Sequence, residues 1–260
     1  MNGEVLRTHP RICFFEVDPS APLLRRGLVE GVGTLLLMFI VTSSAALSQR
    51  GEAAILAPAL AGAATLVALV VALGAVSGGH FNPLITLLQW LGRERNTRCT
   101  VVYIAAQMFG SVLGACAAGR VIGLVPRMSA PPDSNWWMPG EFIATTGLLV
   151  IVFGSSRGGH ADTGPFAVGT WLLAAAIAVP SAYVNPALTI GAVVAKGPVS
   201  LDGRPALQHV LAQLLGALLA FAIIRASLPK AEFLSGIYPV RILSARTTAR
   251  SRCSQARRIV

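Results

Sequence analysis

Charge is what this sequence has least of. Only 12% of its 260 residues are Asp, Glu, Lys or Arg, against about 25% in ordinary soluble domains. With 54% hydrophobic residues and a mean hydropathy of +0.66, this scarcity excludes a disordered chain and argues against a water-soluble globule. Acid is the rarer sign, 11 Asp+Glu against 21 Lys+Arg, which leaves a net charge of +10. Cysteine is also sparse: Cys13, Cys99, Cys116 and Cys253 form no CxxC pair and have no His at zinc spacing. They read as small buried side chains or free thiols, so no metal site is expected. No secretory signal is evident, because the first apolar stretch begins only near Leu28 and carries Glu30. Enzyme signatures are missing as well. There is no HExxH, phosphate loop or Gly-rich strand-to-helix turn, and Pro229 interrupts the short Ser227-x-x-Lys230 pattern. Neither catalysis nor a cofactor is expected.

Long apolar runs are what the chain does have. Six stand out, at about 28–48, 53–74, 100–123, 141–156, 165–184 and 206–227. Each is long enough, or nearly so, to cross a hydrocarbon core about 30 Å thick at 1.5 Å per residue. Two shorter pieces, Pro83 to Leu91 and Pro186 to Ala195, would as helices reach only about 15 Å, half the membrane. The spacing predicts an all-α membrane protein of six spans and two re-entrant half-helices. Its parts are an arm over 1–27, a membrane domain over 28–228 and a basic tail over 229–260.

The two short pieces occupy corresponding places in a repeat, about 28–123 and 141–228. Glu30 is followed by Thr34 and Glu141 by Thr145. Asn82-Pro83-Leu84 lies 52 residues after the first Glu, and Asn185-Pro186-Ala187 lies 44 after the second. Ala106-Gln107 and Ala212-Gln213 then follow in the same order. Three spans per half make the halves enter the membrane from opposite sides, an inverted repeat. An even number of spans puts both termini on one side. Of the 21 basic residues, 16 map there, including Arg7, Arg11, Arg25, Arg26, Arg93, Arg95, Arg98, Arg157 and Arg225. Both termini are therefore expected in the cytoplasm. The tail, with one acid (Glu232) and no aromatic interleaving, reads as a solvated extension rather than a nucleic-acid surface.

Asn-Pro at the head of a short helix has a physical use. Proline fits the first turn, where its missing N–H would lack a partner anyway, and Asn caps the free amides. Two half-helices entering from opposite faces bring their positive ends together and oppose cations at the narrowest point. The Asn amides can donate to a passing oxygen. The stretches before the motifs, Ser77-Gly78-Gly79-His80-Phe81 and Ser181-Ala182-Tyr183-Val184, must be irregular, and irregular backbone at membrane depth is tolerated only when buried in protein or lining a watery path, so these segments are expected to line a pore.

These residues, together with Glu30, Glu141, Gln107 and Gln213, make the sequence resemble the aquaporin, or major intrinsic protein, family over about 25–228. The resemblance implies a homotetramer in the lipid bilayer, at the plasma membrane. Each subunit would hold one pore for water or small uncharged solutes and exclude ions and protons. It places Glu30 and Glu141 beside the pore wall as braces for the re-entrant backbone. By spacing, the family's outer filter maps onto Gly62, Leu173, Ala182 and Leu188.

Two departures from the family pattern bear on selectivity. Leu84 stands where the first motif usually has Ala, which is expected to shift or narrow the pore centre. Leu188 stands where water-selective members keep Arg, so the filter would be uncharged and greasy, and Gly62 would widen it. Glycerol-like molecules, or undissociated metalloid acids such as arsenous acid, then become plausible solutes. Blander readings stand beside these. His80 is expected to be a hydrogen-bonded structural residue rather than a gate. Gln107 and Gln213 can serve as interhelical glue, with Gly27-x-x-x-Gly31 and Gly110-x-x-x-Gly114 allowing close helix approach. A secondary transporter would need an ionisable coupling residue, for which only the two Glu are available. A non-conducting structural role for the fold is the other alternative.

Overall fold

The computed structural model describes residues 12–48, 53–123, 137–179 and 182–228. The expected positions Ser181 and 229–260 lie outside these residues. Every regular element among the described residues is helical: α1 (Leu23–Leu47), α2 (Ala53–Ser77), α3 (Pro83–Leu91), α4 (Thr97–Val121), α5 (Trp137–Arg157), α6 (Gly164–Ala178), α7 (Pro186–Val194) and α8 (Gly203–Ser227). Helix is the outcome that lipid demands, since each backbone group must find its partner within its own segment.

Five of the helices, α1, α2, α4, α5 and α8, are long and apolar enough to cross a membrane. The fifth apolar stretch departs from expectation. It runs to 184 as composition, but α6 has 15 residues and rises only about 22 Å. Val179 turns extended (φ −124°, ψ 90°), and residues 182–185 are non-helical. They instead form the approach to α7. The arm differs too. Helix α1 already begins at Leu23, and Cys13, Phe14, Phe15 and Glu16 are buried, so these four residues of the arm belong to the packed body.

The halves α1–α4 and α5–α8 follow one plan. Helix α1 packs against α4, and α5 against α8. Glycines set the distance at both seams. A Cβ on Gly110 would fall on the carbonyl oxygen of Gly31, and one on Gly114 on that of Leu35. In the second half, a Cβ on Gly216 would sit 2.6 Å from the Phe142 oxygen. Small residues at these crossings let backbone meet backbone, as association in lipid requires. Leu, Val and Phe side chains face outward along α1, α4 and α8, the surface expected of helices solvated by hydrocarbon chains.

Candidate functional site: two facing half-helices

Helices α3 and α7 begin in the same way. Asn82 and Asn185 are extended (φ −148° and −157°), and their side-chain oxygens accept the amide hydrogens of Leu84 and Ala187, both at 2.9 Å. Leu84 therefore does not disturb the cap. Its side chain is 1% exposed and lines neither cavity described below, where Ile85 stands instead. Any narrowing by Leu84 would have to act through packing.

The residue before each Asn is bent into the left-handed region: Phe81 at φ 47° and Val184 at φ 54°. Such a conformation costs on the order of 1–3 kcal/mol in a non-glycine residue, and a β-branched side chain suffers most. It turns each carbonyl toward the opposite half. Asn82 Nδ2 donates to Val184 O at 2.9 Å, and Asn185 Nδ2 donates to Phe81 O at 2.8 Å. This cross-bonding limits what the amides can donate to a passing oxygen. One hydrogen of each amide is committed to the other loop, and an amide carries two, so one remains to face the cavity that both Asn residues line.

The buried carboxylates hold the strain. Glu30 accepts from the amides of His80 (3.0 Å) and Phe81 (2.7 Å), from Ser77 Oγ (2.7 Å) and from Gln107 Nε2 (2.7 Å). Glu141 accepts from the amides of Tyr183 (3.0 Å) and Val184 (2.6 Å) and from Gln213 Nε2. Both Gln side chains also reach the threonine one turn into the half-helix, Thr86 at 3.1 Å and Thr189 at 2.9 Å. All four Glu and Gln residues are fully buried. Bracing and interhelical glue are thus one network.

An aromatic pair stands behind each loop, with its members exchanged. His80 meets Tyr103 edge-on at 5.7 Å, and Tyr183 meets His209 edge-on at 5.3 Å. Each ring on the long helix sits four residues before the bracing Gln, Tyr103 before Gln107 and His209 before Gln213. Tyr103 donates to Ser77 O at 2.8 Å, and His209 Nδ1 lies 3.3 Å from Glu141 Oε2. His80 is engaged at both ring nitrogens, Nδ1 with Thr86 Oγ1 at 2.9 Å and Nε2 with Phe14 O at 3.0 Å. A carbonyl only accepts, so the proton is on Nε2.

Two cavities flank this centre. The central one, about 30 Å³, is lined by Asn82, Asn185, Gly79, His80, Phe81, Val184 and apolar neighbours. One water needs about 10–15 Å³ by this measure, so there is room for about two or three. The distal one, between the end of α1 and the start of α2, is about 310 Å³. It brings together Gly62, Ala182 and Leu188 from the expected filter, but takes Leu172 and Ala176 from α6, not Leu173. Residues four apart share a helix face, while the next residue is turned by about 100°. Gly78 lines neither cavity. With φ 96°, it packs against Phe14, whose oxygen lies 2.9 Å from where a Cβ would stand.

Several of these partners were not singled out from the sequence. Thr86 and Thr189 had a readable signal, each being the fourth residue after a motif Asn. Ser77 lies in the irregular stretch before the first motif, where the sequence points to backbone rather than to side chains. Tyr103, His209 and Phe14 had no such signal.

Removing one cap should be measurable. Asn82→Ala is expected to cost about 0.5–2 kcal/mol for the cap, and more because Val184 O loses its donor. A lowered unfolding midpoint in detergent would show it. An unchanged midpoint would mean that the cross-loop bond contributes nothing.

Two half-helices, braced by buried carboxylates and facing each other inside an inverted repeat, define a membrane channel. The comparisons with known proteins place it more narrowly. A model of the family described as Major intrinsic protein matches residues 19–176. The aquaglyceroporin AqpS of Rhizobium meliloti is 30% identical over 211 residues, 78% of this chain and 90% of that protein. Aquaporin NIP6-1 of Arabidopsis thaliana is 31% identical over 213 residues, covering 77% and 68%. The solved structure of the aquaglyceroporin from Plasmodium falciparum superposes with a TM-score of 0.61 at 15% identity, covering 78% of this chain and 96% of that one. The chain belongs to the major intrinsic protein family, and it is accordingly a passive channel and not an enzyme.

Proposed function

We propose that this channel passes small uncharged solutes of glycerol size alongside water, through a filter of Gly62, Leu172, Ala182 and Leu188. The observation that carries this is the chemistry of the distal cavity. Among its described lining residues only Tyr183 has a polar side chain, and that hydroxyl donates to Val199 O at 2.6 Å. Leu188 supplies an apolar wall, and Gly62 lines the cavity without a side chain, with Val41 Cγ2 3.2 Å from where its Cβ would stand. Such a mouth selects by size and tolerates carbon better than a charged one. Undissociated metalloid acids fall in the same class. Relatives named as aquaglyceroporins agree with this reading.

Glu30 and Glu141 are committed to bracing backbone, which argues against ion-coupled transport. The excess of basic residues beside the terminal segments supports cytoplasmic termini in a plasma-membrane protein, and the family supports a homotetramer.

Stopped-flow light scattering on proteoliposomes tests the reading, with water, glycerol and undissociated arsenous acid as gradients. Permeability equal to that of protein-free vesicles for all three would reject it. Leu188→Arg is expected to lower glycerol passage more than water passage. An unchanged ratio of the two would remove Leu188 from the filter.

A further inference from the structure

A short segment ahead of α1 contributes to the wall of the central cavity. Phe14 is 2% exposed and lines the central cavity with His80, Asn82 and Asn185, facing Leu66 of α2, Leu148 of α5 and Val168 of α6. Its backbone is in the left-handed region at φ 63°, a conformation that persists in a non-glycine residue only when its surroundings enforce it. They do so here. Phe14 O accepts from Gln89 Nε2 at 2.8 Å and faces His80 Nε2 at 3.0 Å. Val17 N donates to Ala75 O at 2.9 Å, tying the segment to the end of α2.

Glu16 fastens the other end. It is buried and paired with Arg26 of α1 and with Arg95, whose Nη2 lies 2.8 Å from Oε2. Arg95 in turn donates from Nε to Gln89 Oε1 at 2.9 Å and lies over the Tyr103 ring at 4.7 Å. Gln89 therefore holds Phe14 O with its amide nitrogen and the latch arginine with its amide oxygen. A buried carboxylate between two guanidiniums is strongly destabilised when one partner is lost, so the contact behaves as a catch.

We propose that Phe14 is the permeability-limiting residue on the amino-terminal side of the paired Asn residues, held there by the Glu16–Arg26–Arg95 latch. This rests on the channel reading. The path opens into about 310 Å³ on the distal side, whereas the cavity that Phe14 lines holds about 30 Å³.

The test uses the full chain in proteoliposomes, comparing wild type with Phe14→Ala and Glu16→Gln. Removing the ring is expected to raise water and glycerol permeability on the order of tenfold, because a steric barrier acts exponentially on rate. Glu16→Gln should raise it in the same direction with the ring still present. Cys13 supplies a readout independent of flow. Its sulfur packs against Gly164, and burial pushes its thiol up to about 11, so maleimide labelling near neutral pH should be slow. Peptide-resolved labelling should accelerate several-fold in Glu16→Gln. Equal permeability in wild type and Phe14→Ala, with both proteins monodisperse, overturns the proposal. If that shared value exceeds protein-free vesicles, the channel reading stands without it. If it equals theirs, both fall. Unchanged Cys13 labelling in Glu16→Gln removes the latch.

Discussion

Glu30→Ala is expected to leave little folded protein in detergent and no permeability above background. The substitution removes the acceptor for four buried donors: the His80 and Phe81 amides, Ser77 Oγ and Gln107 Nε2. An unsatisfied buried donor costs about 1–3 kcal/mol, and whole domains are stable by only about 5–15 kcal/mol. Phe81 adds its own cost, because the Glu30 bond is part of what holds φ at 47°. Glu30→Gln keeps one acceptor oxygen but turns an NH₂ toward a donor, so it should fall between wild type and Ala. Thermal unfolding by size-exclusion in detergent orders the three. A midpoint for Glu30→Ala within a degree or two of wild type would contradict the bracing role.

Gly110→Ala is the second large effect, from one methyl group. Its Cβ would overlap the carbonyl oxygen of Gly31, and backbone cannot rotate aside as a flexible side chain can. Helices α1 and α4 would have to separate, and α1 carries Glu30 while α4 carries Gln107, so the loop bracing would loosen with the seam. Overpacking typically costs about 1–3 kcal/mol and more where relief is blocked. Gly154→Ala on α5 is the control, since nothing lies within 4 Å of its added Cβ. It should be neutral, or stabilising by up to about 1 kcal/mol from helix propensity. Equal midpoints for the two variants would mean that the α1–α4 seam is not close-packed.

Both effects concern residues that the sequence already pointed to, and the reason is local. Span length follows from hydropathy because lipid forces unbroken hydrogen bonding. Asn-Pro starts a helix wherever it stands, and the matched Glu, Asn and Gln positions reveal two copies of one unit. The charges were legible only in part. Arg26, Arg95 and Arg157 count toward one side by position, but Arg26 and Arg95 also clamp Glu16, and Arg157 pairs with Glu94 at 3.0 Å.

What the sequence by itself determined is therefore the all-helical inverted repeat, the two half-helix starts and the carboxylates that serve them. Each depends on composition or on spacing inside one repeat. Helix phase was decided only in three dimensions. Spacing points to Leu173, but α6 ends at Ala178, and its rotation presents Leu172 and Ala176 to the cavity. The tertiary structure alone also joined Asn82 to Val184 and Asn185 to Phe81, across 102 and 104 residues. It seated Phe14 beside His80, and Glu16 beside an arginine 79 residues away. Contacts of that range leave no periodic trace, because they depend on where separate helices come to rest rather than on any one segment's chemistry.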